Sequence, residues 1–286
     1  MTDGSRTRVA LGGVPETLLW TLYNRAVEAR RSTRVIGDPL AVRLLDLIDY
    51  PFEERFGRAI WSQAQALRAR RFDDAVRDFL AVHPGGTVVA LGEGLETQFW
   101  RVDNGRVRWL TVDLPEVIDL RARLLPGSPR QSAVACSALD ERWMDAVALP
   151  SPVLITAQGL LMYLERSEAD RLIRACAGRF PGGALVFDVV PRWLSRSTAT
   201  GKATTTRGYA IPPMLWGMDA DDLAAVRTIC PSVVDVVELA PPRGHGLLFG
   251  YVLPVLHRIP WIHNKRSPAF PWVIVLARFA SRTAAH

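Results

Sequence analysis

The segment Thr87–Arg101, TVVALGEGLETQFWR, constrains this chain more than any other. Four apolar residues, Val88 to Leu91, run straight into Gly92-Glu93-Gly94, and a helical pattern starts at about Leu95. A buried strand, a tight glycine turn and a helix start form the entry unit of a nucleotide-binding α/β domain. Gly92 permits the sharp turn, and Gly94 lets a ligand reach the backbone without meeting a Cβ. A helix start adds unpaired N–H groups and a positive dipole end. The run reads GxGxxT: Thr97 stands where dinucleotide folds carry a third glycine.

A second unit follows. Val107–Val112, VRWLTV, reads as a strand that ends in Asp113, followed by Leu114-Pro115. An acid about 20 residues past the glycines, at a strand end, can accept hydrogen bonds from ribose hydroxyls. It can equally cap a helix opened by Pro115. Further strands are expected at Gln131–Ala138, Val153–Ala157, Ala184–Val190, Val233–Leu239 and Trp272–Phe279, with helices between them. This alternation predicts an α/β fold with a doubly wound, mostly parallel sheet.

VVALGEGLETQFWR, VDLPEVI and ITAQGLLMYL, in that order and spacing, resemble the leucine carboxyl methyltransferase family. Its bacterial branch includes enzymes that esterify polyketide carboxylic acids of the tetracenomycin type. The resemblance spans roughly residues 14–190 and implies a class I methyltransferase fold with an antiparallel last strand. It implies S-adenosylmethionine as cofactor, not NAD. It implies that Arg68, rather than Arg70 or Arg71, holds the methionine carboxylate, for which a guanidinium offers two parallel bonds. Gly92, Glu93, Gly94, Asp113 and Leu114 are then expected at the nucleoside. Relatives carry an acid near Ser137 at the adenine; here Ala138 and Leu139 are expected to serve through backbone groups. Relatives also carry an acid where Gln158 stands, so the amide keeps hydrogen bonding without charge. Asp140 reads as an N-cap, and Ser167 as the N-cap of the helix that follows.

Domain organisation follows from the pattern. Residues 1–13 read as a disordered tail and 14–286 as one domain with an N-terminal helical cap, 14–82. In the cap, Leu18, Leu19, Leu22, Ala26 and Ala29 share a stripe, with Arg25 on another face. Ion pairs such as Arg70–Asp74 are expected on the long helix before the first strand. Two stretches read as substrate lids. Residues 192–218 hold serines, threonines and glycines, then an aromatic-proline cluster; Trp193, Tyr209, Met214 and Trp216 are the substrate-contacting candidates. Residues 241–271 read as a lid rather than a membrane-surface helix, because Pro254 and Pro260 break a long interfacial helix.

The formal net charge of +6 suits an anionic substrate, a membrane surface or nucleic acid, but no nucleic-acid-binding motif is present. Cys136, Cys176 and Cys230 make neither a disulfide framework nor a metal cluster, and no stretch reads as a signal peptide or a bilayer span. The expected setting is cytoplasmic, with no metal, no integral membrane association and a small-molecule acid as partner; a homodimer is compatible with the pattern.

The chemistry implied is in-line transfer of a methyl group from sulfonium to oxygen. A carboxylate acceptor, with a reference pKa of about 4, is already ionised and needs no general base. A phenol or alcohol benefits from one, and His245, His257 and His263 are the imidazole candidates. Tyr163 stands either at the cleft or in the core. The competing functions are hydroxyl methylation, cofactor binding without turnover, and a nicotinamide-dependent oxidoreductase.

Overall fold

The computed structural model describes residues 6–149, 151–256 and 271–281. The N-terminal cover consists of β1 (Thr7–Arg8), α1 (Thr17–Ala29), α2 (Pro39–Leu47), β2 (Ile48–Asp49), α3 (Phe52–Phe56) and α4 (Ser62–Val82). The nucleotide-binding half continues with β3 (Thr87–Leu91), α5 (Gln98–Val102), β4 (Arg108–Asp113), α6 (Pro115–Leu124) and β5 (Gln131–Ala135). The other half holds β6 (Val153–Ala157), α7 (Arg166–Arg179), β7 (Ala184–Val189), α8 (Arg192–Ala199), α9 (Leu223–Arg227), β8 (Val233–Glu238), α10 (Leu253–Leu256) and β9 (Val273–Phe279).

Seven strands form one sheet in the order β5-β4-β3-β6-β7-β9-β8. The pairs from β5 through β7 are parallel, and β9 runs antiparallel to both its neighbours. The chain leaves β3 toward β4 and β5, then crosses back to β6 on the other side. That reversal opens a crevice beyond the carboxyl ends of β3 and β6, where such sheets take ligands.

Alternation along each strand builds two cores. Val89 and Leu91 face a cluster that includes Ile155, Phe187 and α7. Val88 and Ala90 face another that includes Trp109, Leu154 and the apolar side of α4. Both faces of β3 are therefore dry, which is why it reads as an unbroken apolar run. A third cluster joins Leu19, Leu22 and Ala26 of α1 to Phe52, Phe56 and Leu95 and packs the cover onto the sheet; each fully buried leucine stabilises it by about 2 kcal/mol.

Several boundaries differ from expectation. Thr7–Arg8 pair with Ile48–Asp49, so part of the expected disordered tail is an ordered strand. α5 starts at Gln98, not Leu95, because the glycine turn continues through Glu96 (Glu96 N–H to Glu93 C=O, 3.0 Å). β5 stops at Ala135, and Cys136 to Leu139 become a turn. α7 opens on a Glu165–Glu168 capping box rather than on Ser167. Asp140 does cap, accepting from the Arg142 N–H at 3.2 Å. Asp74 pairs with Arg77 at 3.3 Å, not with Arg70.

The two expected lids begin as ordered chain. Residues 192–199 are α8, and Met214–Met218 return along it. The return needs Gly217, whose Cβ would lie 2.7 Å from that of Ser195. Residues 246–256 are helical; 257–270, with His257 and His263, lie outside the described residues.

Candidate active site

A cavity of about 610 Å³ lies at the switch point, floored by the strand ends and walled by α1, α4 and α8. The glycine turn forms its centre. Gly92 and Gly94 have φ of +60° and +54°, a region L-residues rarely adopt. A Cβ on Gly92 would come 3.0 Å from the Leu160 side chain, and one on Gly94 3.1 Å from Leu18.

Asp113 holds this turn. Its Oδ2 accepts the Gly94 N–H at 2.7 Å and its Oδ1 the Leu114 N–H at 2.8 Å. It does not cap α6, whose N-cap is Leu114. Burial raises its pKa, against those two bonds and Arg121. Each carboxylate oxygen keeps a second lone pair, and Asp113 and Leu114 line the cavity. The Glu93 side chain turns inward: it accepts from Trp109 Nε1 at 3.2 Å and Thr111 Oγ1 at 2.5 Å and pairs with Arg121 at 3.0 Å. Its side chain anchors the turn from behind, while Glu93 still lines the cavity.

Thr97 has its own structural reason. Its hydroxyl lies 2.6 Å from Asp38 Oδ2. Asp38 also pairs with Arg25 at 2.7 Å and Arg101 at 2.9 Å, and both arginines pair with Glu96, at 2.9 and 2.7 Å. Burial pushes the Asp38 carboxyl up, yet the two guanidinium groups outweigh it and bring it down to about 2. Arg25, off the apolar stripe of α1 as expected, is buried to meet this cluster. Gln158 connects it to the cleft through Nε2–H to Glu96 Oε2, 3.1 Å.

The opposite end holds Arg68. It is buried on α4, 3.3 Å from Asp188 at the end of β7. Asp188 also accepts the Gly159 N–H at 2.6 Å. Burial raises the Asp188 pKa, with Arg68 opposing. Three buried polar atoms here lack hydrogen-bond partners: Arg68 Nε, Gln158 Oε1 and Asp188 Oδ2. One donor beside two acceptors matches a zwitterionic α-amino acid group, and buried polar atoms left without partners are costly in a native protein. Arg71 does not line the cavity.

Ala138 and Leu139 line the cavity's far end. Ser137 Oγ accepts the Leu139 N–H at 3.2 Å, and the Trp143 Nε1–H donates to the Ala138 C=O at 3.0 Å. Backbone recognition there has fewer unengaged groups than expected.

On the acceptor side, Trp193, Met214 and Tyr163 line the cavity. Burial raises the Tyr163 pKa, against Thr17 and Arg68, so it is a protonated donor near neutral pH. Tyr209 and Trp216 do not line the cavity. Tyr209 packs edge-on against Phe56 at 5.1 Å under Arg55, and Trp216 stacks on Phe187 at 5.7 Å under Arg166. His245 is not in the lining either; its Nε2 lies 2.9 Å from buried Glu28. Sequence reasoning missed Trp20, Trp61, Trp272 and Lys202, all in the lining. Lys202 carried a signal: it is one of two lysines, with Lys265, among 35 basic residues.

The model of the family described as leucine carboxyl methyltransferase matches residues 19–177, which hold the glycine turn, Asp113, Arg68 and Gln158. The chain belongs to this family. Its members are S-adenosylmethionine-dependent O-methyltransferases, and that nucleoside, not NAD, is the cofactor here. The chain is 38% identical over 189 residues to the tetracenomycin polyketide synthesis O-methyltransferase TcmP of Streptomyces glaucescens, covering 66% of this chain and 70% of that one. It is 29% identical over 190 residues to the S-adenosyl-L-methionine-dependent methyltransferase dpfgK of Gibberella zeae, covering 60% and 63%. A solved Thermobifida fusca structure described as a methyltransferase shares the fold, with a TM-score of 0.54, 16% identity and coverage of 82% and 91%. No described helix is long and apolar enough to cross a membrane.

Proposed function

We propose that this methyltransferase esterifies the carboxylate of a bulky, apolar aromatic acid. The observation that carries the reading is the lining of the acceptor side. Trp20, Trp61, Trp193, Met214 and Trp272 supply apolar wall, no histidine lines it among the described residues, and Lys202 is its cation beyond Arg68. The ammonium of Lys202 makes no ion pair among the described residues. The name of the TcmP relative, a polyketide O-methyltransferase, supports the same class of acceptor.

The cofactor supplies an electrophilic methyl carbon on sulfonium; the protein supplies placement. Asp113, which clamps Gly94, would accept from the ribose hydroxyls of a bound cofactor, and Leu114, Ala138 and Leu139 would hold its base. Arg68 would hold the cofactor carboxylate, and Gln158 Oε1 and Asp188 Oδ2 would accept from its ammonium. Lys202 orients the acceptor carboxylate, which needs no proton removed. The aromatic wall excludes water and so would keep a competing nucleophile from the cleft.

Tritium transfer to 2-naphthoic acid against 2-naphthol tests this. Organic-extractable counts that base hydrolysis releases as volatile methanol, the behaviour of a methyl ester, are expected with the acid. Methylation of the naphthol alone would show that the acceptor is a hydroxyl.

A further inference from the structure

A glutamine side chain carries a donor and an acceptor on one neutral amide, and burying it is costly unless both ends are engaged. Among the described residues, three glutamines stand in the cavity wall, Gln65, Gln98 and Gln158. Gln98 Nε2–H donates to Asp73 at 3.2 Å, and Gln158 Nε2–H donates to Glu96 at 3.1 Å. Gln63, also on α4, accepts the His245 N–H at 2.7 Å. Gln65 differs from all of these. It is only 3% exposed, yet its side chain makes no hydrogen bond among the described residues.

Its place follows from the helix period. Trp61 is the N-cap of α4, and Gln65 and Arg68 follow it at i+4 and i+7, the spacing of one helical face. All three line the cavity. Trp61 is half-buried and belongs to the aromatic wall. Arg68 stands beside Asp188, with its guanidinium carbon 5.1 Å from the centre of the Trp272 ring. Gln65 lies between them, about 4.5 Å along the helix axis from Arg68. The unpaired amide therefore marks the border between the polar end of the cleft and its tryptophan-lined end.

The groups around it limit what it can hold. Gln158 Oε1 and Asp188 Oδ2 already stand without partners for the cofactor ammonium, and Arg68 for its carboxylate. An acceptor carboxylate is matched by the cation of Lys202 better than by a neutral amide. What an amide matches on both of its ends is a hydroxyl, which accepts the Nε2–H and donates to Oε1. We propose that Gln65 is a specificity-determining residue whose amide pairs with a hydroxyl group on the aromatic acid, separate from the oxygen that is methylated. This rests on the reading of the tryptophan-lined half as the acceptor side. An acceptor without that hydroxyl leaves the amide buried and unpaired, and the site discriminates against it. The apolar wall takes the ring, and Gln65 sets which edge of the ring enters. Gln65 acts through binding and takes no part in making or breaking bonds.

Equilibrium binding to the complex with S-adenosylhomocysteine tests this without turnover. Calorimetry compares 2-naphthoic acid with 3-hydroxy-2-naphthoic acid and 6-hydroxy-2-naphthoic acid. At least one hydroxy acid is expected to bind about tenfold more tightly than the parent. Gln65→Leu, similar in size, should weaken that acid about tenfold and tighten the parent about threefold, so that the preference inverts. Its melting temperature should hold or rise, because an unpaired buried amide has been removed. A glutamine with a merely structural role would lower the melting temperature and move all the acids together, which would overturn the proposal. Should Gln65→Leu fail to fold, Gln65→Met carries the same expectations. Affinity for S-adenosylhomocysteine alone should stay within about twofold; a large loss would assign the amide to the cofactor. Hydroxy acids that bind no better than the parent, or a preference that survives in the variant, would also overturn the proposal. If only hydroxyl acceptors bind, the same comparison between 2-naphthol and its dihydroxy analogues decides it, so that failure of the carboxylate reading is seen separately.

Discussion

The two ends of the cleft are built on different principles. The cofactor end is made of strand termini, two glycines and a buried charge cluster in which Asp38, Glu96, Arg25 and Arg101 hold one another. Its side chains are positioned by hydrogen bonds of 2.6 to 3.1 Å, so a displacement of one is felt by the next. The other end is made of aromatic side chains from α1 and α8 and from the residues just before α4 and β9, with Lys202 on the turn after α8. Apolar contact is non-directional and tolerates changes of shape. A polar lattice fixes one ligand, whereas an apolar wall admits a class of ligands. One cleft thus combines a rigid polar end with an adaptable apolar end.

The largest test of that contrast lies at Arg68. Arg68→Ala removes a charge-assisted partner for the cofactor carboxylate and leaves buried Asp188 unpaired. By analogy with broken buried pairs it should cost roughly 3 kcal/mol, or about 100-fold in affinity for S-adenosylhomocysteine by calorimetry. Arg71→Ala should change that affinity less than about twofold. Similar losses in the two variants would mean that the cofactor lies elsewhere along α4.

The charge cluster gives the next effect, through pH. The Asp38 pKa is lowered from an ordinary 3.8 to about 2, burial being outweighed by Arg25 and Arg101. A lowered carboxyl pKa contributes stability above the unfolded value, here about 2 kcal/mol, and that contribution is lost as pH falls from about 4 toward 2. Buried Asp73, Glu93 and Asp188 are shifted the other way, chiefly by burial. The wild-type minus Asp38→Asn difference therefore isolates the term. That difference in unfolding free energy should shrink as pH falls through this window; a constant difference would refute the assignment.

Lys202→Met tests the acceptor end. It should raise KM for 2-naphthoate about tenfold, leave affinity for S-adenosylhomocysteine unchanged, and not alter any naphthol methylation. The smallest expected effect separates two tryptophans that look alike in sequence. Trp193→Ala should raise KM for the acid about threefold, while Trp216→Phe should leave KM alone and lower the melting temperature by a few degrees. If Trp216 controls KM, the division between wall and core is misdrawn.

Legibility followed the same division. β3, β4, β6 and β7 were readable because a strand dry on both faces must be apolar throughout, and the glycine turn because only glycine adopts its φ without strain. β5 was over-extended because it lies at a sheet edge, where alternation is diluted by exposure. The burial of Arg25 went unread because a periodic stripe counts apolar residues and cannot register a guanidinium neutralised inside. Tyr209 and Trp216 were assigned to substrate because an aromatic cluster after a polar loop looks the same whether it walls a cavity or packs against Phe56 and Phe187.

By itself the sequence determined the α/β class, the strand that feeds the glycine turn, the acid that follows it and the family to which they belong. All of these depend on neighbours close along the chain. Only the tertiary structure decided which groups meet across long separations: Asp113 clamping Gly94, Asp188 beside Arg68, Thr97 on Asp38, and Lys202 on the rim of a tryptophan-lined cleft. Such meetings depend on how the sheet twists and where the chain reverses, and no local period in the sequence encodes them.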